Sequence, residues 1–438
     1  MLSFIAERAS EQAPALVRPG GEAMSYGSLA LASSALMQAL GARVGDVRQR
    51  LVGIAVDDSA GFVASVLAVL ESGGIAMPLD LRRGLPALEL EAARARAVAV
   101  IVGDAVADRL EIVAGDASRR ALPADLCLAL EASGRRALWS RVALGVGVDA
   151  IGAQLGIGPA SRVPLVGPLG HGAVLVGQAL ATLRAGGALL LVDVLAPEEQ
   201  GAAMARLGAD VIAALPSTLR ALARVGTAGL RARSVVAVGE LAPGDLTLFA
   251  ASFGEARLGR ACDRAEALRV AARFADEPGF AAGQLGPLPG VVCAIDPAGK
   301  LQLRSPSLMS GYLDDPEATA HALREQDGAP WWHGGDGAQL FPDGSLVVDA
   351  GPDGNITIDD ERVDLAVVER GLRHTPGIRE AALLAVRDAA GPRLYAFVSG
   401  DAASAPRHPA RVVMLESLPR TADGEIDREA LRRMASAE

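Results

Sequence analysis

The sequence predicts an α/β protein with a large N-terminal domain and a small C-terminal one. The N-terminal domain is expected as two layered αβ subdomains plus a small β-rich part, followed by a compact α+β domain. Three observations carry this. Short apolar runs alternate with Ala/Leu/Arg-rich amphipathic segments through about residue 216. From about Gly283 the pattern changes to hairpins, and after Asn355 a second, shorter αβ pattern begins. The alternation is the mark of parallel sheets covered by helices. A chain of 438 residues, half of them hydrophobic, exceeds what one compact core usually holds.

The elements follow in order. Helical spacing runs through SYGSLALASSALMQALGARV after Ser25, a capping residue, and LVGIAV at 51–56 reads as a strand. SAGFVASVLAVLESGG is a helix closed by glycines, with IAMPLD a short strand after it. VAVIVGD and DLCLALE are further strands. The cycle repeats with the strand RVPLVGPL, the helix GAVLVGQALATLRAGG, the strand ALLLVDV, the helix APEEQGAAMARLG and the strand DVIAALP. GVVCAIDPAGKLQLRSP then reads as two strands about an Asp-Pro-Ala-Gly turn. Asp353, in GPDGN, marks a hinge between domains at 1–351 and 352–438.

Composition excludes several classes. A formal charge of −10 argues against sequence-independent nucleic-acid binding, which needs a basic face. Three widely spaced cysteines, Cys127, Cys262 and Cys293, form neither a metal-like cluster nor an even disulfide framework. No apolar run is long enough to span a bilayer, and the N-terminus lacks the pattern of a signal peptide. The expectation is a cytoplasmic protein without a membrane partner. Cationic side chains are almost all arginine, and Lys300 is the one lysine.

Several stretches, in order, resemble the adenylate-forming enzymes: acyl- and aryl-CoA ligases, nonribosomal peptide adenylation domains and luciferases. The opening PALVRPGGEAMSYGSLALASSALMQAL is similar to the start of that family. VPLVGPLGHGAVLVGQAL, with His171, resembles its Pro-x-x-His-x-x-Gly segment, and GYLDDPEATAHAL its Gly-Tyr-x-x-x-Pro-Glu-x-Thr. WWHGGDGAQLFPDGSLVV, ERVDLAVVERGL and LPRTADGEIDREAL complete the set. The resemblance implies a mobile C-terminal domain and a two-step reaction. A carboxylate first attacks ATP to give an acyl-adenylate, and a thiol of CoA or a carrier protein then displaces AMP.

Compared with that family, four functions are altered. Its phosphate-cradling loop, Thr-Ser-Gly-Thr-Thr-Gly-x-Pro-Lys-Gly, corresponds to LALEASGRRALWSRVAL, which keeps Ser133 and Gly134 but not the second half or the lysine. Arg135 and Arg136 read either as cations facing phosphate or as surface arginines, with the surface reading favoured. For Tyr-Gly-x-Thr-Glu the match is CDRAE. Glu266 falls on the Mg²⁺ ligand, Ala265 on the threonine and Cys262 on the base-stacking tyrosine; Glu266 also reads as an ordinary helix-surface residue, the reading favoured. Asp336 falls on the ribose-binding aspartate, or is a turn residue, while Gly351 replaces the ribose-contacting arginine. Glu425 falls on the lysine that bridges carboxylate and α-phosphate, a contribution of about 3–4 kcal/mol now carrying the opposite charge. The pantetheine-tunnel glycine falls on Asp360 and its adjoining lysine on Thr357.

The reading these departures favour is a pseudoenzyme-like member that binds an acyl or aryl acid, its thioester or a carrier protein in a biosynthetic pathway. ATP and Mg²⁺ are then bound weakly or not at all. Aliphatic and glycine positions such as Gly239 in AVGELAP and those around His171 are expected to line the acyl pocket. One alternative is a working acid:carrier-protein or acid:CoA ligase with a rebuilt site in which Arg135, Arg136 and Glu266 handle phosphate and metal. A lesser one is an ATP-independent acyl transferase or hydrolase using Cys262 with His171.

Overall fold

The structure, a computed structural model, describes residues 8, 11–81, 84–103, 111–116, 118, 121–132, 134–193, 195–241, 244–349, 355–358, 361–364, 368–369, 372, 377–388, 391–400, 411–420, 426 and 428–436. Two compact units emerge. The larger comprises Met1–Glu131, Arg135–Gly334 and Gln339–Val347; the smaller comprises Ala132–Gly134, Gly335–Ala338 and Val348–Glu438.

The first sheet of the larger unit has seven strands. Their spatial order is Gly311–Tyr312, Arg135–Ser140, Leu126–Ala132, Ile75–Pro78, Leu51–Val56, Ala99–Gly103 and Glu111–Ala114. Leu51–Val56 runs parallel to both of its neighbours, as the strand–helix alternation predicts. The helix Ser59–Glu71 links two of these strands. Asp58 caps it by accepting from the Gly61 amide at 2.7 Å. Residues Ser59 to Leu70 are all buried, so this apolar helix is core rather than an amphipathic cover.

The second sheet has five strands: Val211–Ala214, Ser234–Val238, Arg257–Arg264, Leu268–Phe274 and Gly286–Pro287. The first three are parallel, and the sheet then turns back as an antiparallel hairpin. The helices Pro197–Leu207, Pro216–Val225 and Asp245–Phe253 pack Met204, Leu219, Leu222, Phe249 and Phe253 into one cluster with Ile212, Val235 and Ala237. Each such side chain contributes about 1.5–3 kcal/mol by leaving water. The segment expected as one helix at 172–187 is helical in three pieces, Gly172–Val174, a π-helical Leu175–Leu180 and Ala181–Ala185. Gln178 explains the insertion. Its buried amide bonds both the amide and the carbonyl of Val166, and the carbonyl of Ala213.

The β-rich part contains Val292–Ile295, Lys300–Arg304, Leu323–Gln326, Ala329–Leu340 and Leu346–Asp349. Its first turn is the one read from Asp-Pro-Ala-Gly: the Asp296 carboxylate accepts from the amides of Ala298 and Lys300, each at 2.8 Å. In the smaller unit Ile378–Asp388 and Gly391–Gly400 pair antiparallel, and Arg411–Met414 joins parallel. Side chains of these strands alternate between two cores. Ala381, Leu383, Leu394, Ala396 and Val398 face one way, and Ala382, Leu384, Tyr395 and Phe397 pack with Leu418 and Leu431 on the other. Among the described residues no helix is long and apolar enough to cross a membrane. Asp353, the expected hinge, lies outside the described residues, as do Gly351 and Asp360.

Candidate functional site

The strand Leu126–Ala132 ends three residues before Arg135–Ser140 begins, and the two lie side by side in the sheet. Only residues 133 and 134 join them. Gly134 supplies a φ of +83°, a left-handed conformation suited to so short a link. Ser133 lies outside the described residues. A backbone cradle for a triphosphate needs a run of amides pointing into a concavity, and a two-residue link has no length for one.

The two arginines that follow are partly buried and engaged by acidic partners. Arg135 donates from Nε to Asp315 at 3.1 Å and lies over the ring of Tyr312, 5.5 Å from its centroid. Arg136 has a side chain 11% exposed; it ion-pairs with Glu91, stands 3.8 Å from Glu131 and donates to the Pro78 carbonyl at 3.0 Å. The surface reading is therefore corrected. Both guanidiniums have acidic partners: Asp315 meets Arg135, while Glu91 and Glu131 reach Arg136 from the helix Leu85–Arg94 and the strand Leu126–Ala132.

Glu266 occupies the turn between Arg257–Arg264 and Leu268–Phe274, so the helix-surface alternative fails as well. It is 8% exposed. Its carboxylate accepts the Tyr312 hydroxyl at 2.8 Å, and its backbone carbonyl accepts the Met309 amide at 2.8 Å. The turn is tight: Leu268 is held at a φ of +56°, unusual for a branched side chain, and a bulge falls between Cys262 and Asp263. Arg269, whose side chain is fully buried, fixes that bulge by donating from Nε to Asp263 at 2.8 Å and from a terminal nitrogen to Gln154 at 2.9 Å.

Tyr312 and Asp315 are thus site residues that sequence reasoning did not single out. The signal was present in GYLDDPEATAHAL, the closest of the family-like stretches. The short strand Gly311–Tyr312 pairs with Arg135–Ser140, placing Tyr312 opposite Ala137. Thr319 accepts the Tyr312 amide at 2.8 Å, and Asp315 caps the helix Pro316–Ala322 by accepting from Ala318 at 2.9 Å. A continuous polar chain results, from Asp315 through Arg135 and the Tyr312 ring to Glu266. It joins the positions where the family places phosphate and metal.

The other expected site residues stand apart from this chain. His171 caps its short helix: Nδ1 accepts the Ala173 amide at 3.2 Å, so that nitrogen carries no proton in this arrangement. Gly239 ends the strand Ser234–Val238 at the surface with a φ of +126°, its amide donating to Ala261 at 2.9 Å. Cys262 is 7% exposed, opposite Ala271 in the hairpin. Burial, reinforced by Cys262, pushes the Cys293 thiol up to about 11, and burial pushes Cys127 up to about 12. Asp336 is 4% exposed on Ala329–Leu340, a strand position rather than the turn one alternative placed it in. Glu425 lies outside the described residues.

Among the described residues no three His, Cys, Asp or Glu side chains come together as a metal cage. Glu266 would be a lone protein ligand, a role Mg²⁺ accepts when nucleotide phosphates complete its shell. Among the described residues the link between Ala132 and Arg135 is too short for the family's phosphate loop, and no step is derived through MgATP.

The architecture comprises doubly layered α/β parts, a β-rich part and a small α+β unit. The chain is similar to adenylate-forming enzymes. Residues 5–137 match the family model described as AMP-binding enzyme. Over 96% of its length the chain is 29% identical to phenyloxazoline synthase MbtB of Mycolicibacterium paratuberculosis, covering 41% of that protein. It therefore spans less than half the length of this curated relative. Among solved structures it resembles an NRPS protein containing adenylation and PCP domains, with a TM-score of 0.78 at 20% identity, covering 99% of this chain and 84% of that one. It also resembles ATP-bound MatB from Rhodopseudomonas palustris, with a TM-score of 0.69 at 19% identity, covering 99% and 98%.

Proposed function

We propose that this protein binds an acyl or aryl acid, its thioester or a carrier protein within a biosynthetic pathway, and that it is degenerate in ATP chemistry. The observation carrying this is the two-residue link at 133–134, where the family's phosphate loop belongs. The engagement of Arg135 by Asp315 and of Arg136 by Glu91 supports it, because neither cation is available without breaking an ion pair. Glu425, at the position of the family's lysine, would repel both reactants of the first step. The relation to MbtB and to an NRPS protein carrying a PCP domain supports a carrier protein as partner. A cytoplasmic setting fits this reading.

Acid-dependent pyrophosphate exchange with MgATP, over a broad panel of aliphatic and aromatic acids, tests it. Background exchange throughout is the expected result, and robust acid-dependent turnover is the result that would refute it. A second reading, a ligase with a rebuilt nucleotide site, is favoured by the burial of Glu266 and Asp336 at the family's metal and ribose positions. ATP-dependent loading of a carrier protein would single it out. The acyl-transferase reading draws little support, since Cys262 is buried and His171 Nδ1 is engaged in its helix cap.

A further inference from the structure

Several buried or half-buried arginines of the larger unit meet a carboxylate. Arg135 has Asp315, Arg136 has Glu91, Arg220 has Asp245 and Arg269 has Asp263. Arg260 differs. It lies on the strand Arg257–Arg264, opposite Arg273 on one side and level with Ala237 on the other. Its Nε is buried without a hydrogen-bond partner, and among the described residues no hydrogen bond or ion pair reaches its guanidinium.

A partly buried guanidinium with no counter-charge is a costly arrangement, and folds normally neutralise such groups or pair them. Burial draws its pKa below the ordinary arginine value, and the acting neighbour is a thiol, Cys262, rather than a carboxylate. Arg273 makes matters worse, because a like charge sits directly opposite across the hairpin. Arg273 itself is satisfied by the Pro278 carbonyl, with Gln284 at 3.5 Å and Asp343 at 4.0 Å. Beside Arg260 stands Gly283, where a Cβ would come within 3.2 Å of the guanidinium, so no side chain occupies that flank.

Position gives this cation a use. Arg260 and Cys262 are two residues apart, ahead of the bulge, and so share one face of the strand. Arg260 is level with Ala237, one residue before the neighbouring parallel strand Ser234–Val238 ends, and Cys262 lies past that end, the end at which open α/β sheets receive ligands. We propose that Arg260 receives an anionic group, a carboxylate or a phosphate, of a small ligand lying along the Cys262 face of this strand. This deepens the reading of the site as a binder of acids rather than of ATP, and rests on it for the ligand's identity. The guanidinium fork suits either oxyanion, and a bidentate grip would supply the counter-charge the fold omits.

The test is thermal unfolding of the full chain without nucleotide. Malonate, succinate, matched monocarboxylates, inorganic phosphate and pyrophosphate serve as probes, against sodium chloride at equal ionic strength. The wild type should be stabilised by at least one dianionic probe, in a saturable manner. Arg260→Met should fold as well as the wild type and bind that probe about tenfold more weakly or worse, while Arg260→Lys keeps part of the effect. The lysine variant serves the comparison if the methionine variant fails to fold. Selectivity for dicarboxylates assigns the group as a carboxylate, and selectivity for phosphate or pyrophosphate assigns it as a phosphate. If no probe exceeds the salt control, or if the shift survives unchanged in both variants, the proposal is overturned. With ATP absent, the outcome is independent of pyrophosphate exchange. Robust exchange alongside an intact Arg260 effect would retire the degenerate reading alone.

Discussion

Replacing Arg136 by methionine is expected to lower the stability of the larger unit by about 3 kcal/mol, read as a shifted denaturant midpoint. The cation is 11% exposed, and its removal leaves the carboxylates of Glu91 and Glu131, 19% and 27% exposed, facing each other without it. Two partly desolvated acids without a cation cost more than the contact itself is worth. Introducing Glu91→Leu alongside should recover most of the loss, since an apolar pair replaces an ionic one. Phosphate and nucleotide binding should be unchanged in both variants. A stable Arg136→Met that loses a measurable affinity for phosphate would show that the arginine serves a ligand instead.

Arg269→Met should be costlier still, about 3–5 kcal/mol. The guanidinium is fully buried and holds Asp263 and Gln154 together. Without it Asp263 becomes a largely buried carboxylate with no cation, and the bulge that leads into the Glu266 turn loses its brace. The double variant Arg269→Met/Asp263→Leu should regain stability but not the turn geometry. Chemical denaturation read by intrinsic fluorescence, on the single and double variants together, measures the coupling. A single variant within about 1 kcal/mol of the wild type would contradict the account.

Much of the fold was legible because period and turn chemistry agree. The buried helix Ser59–Glu71, the parallel strand Leu51–Val56 and the Asp296 turn each follow from local pattern and matching long-range burial. The π-helical stretch was not, since nothing in GAVLVGQALATLRAGG announces that Gln178 must reach two strand ends at once. Order and spacing singled out Glu266 and Asp336 as candidates, but could not show their partners. A lone Glu in DRAEALRVAARF suits a helix as well as a turn, and only the pairing of Gly311–Tyr312 with Arg135–Ser140 brings the Tyr312 hydroxyl to it. The fates of Arg135 and Arg136 were hidden for the same reason: Asp315 is 180 residues away in the chain and Glu91 is 45. Arg260 is a subtler case, because what distinguishes it is a partner that sequence cannot show to be missing.

The central claim is that the cations beside the shortened loop belong to the fold and leave the nucleotide ungripped. The most direct measurement is a crystal structure after soaking with a non-hydrolysable acyl-adenylate mimic, paired with calorimetric titration of the same compound. The account predicts no ordered adenosine and no saturable heat from the nucleotide portion, with Arg135 still on Asp315 and Arg136 still on Glu91. An ordered mimic whose phosphate surrogate had drawn either arginine away from its carboxylate would contradict it.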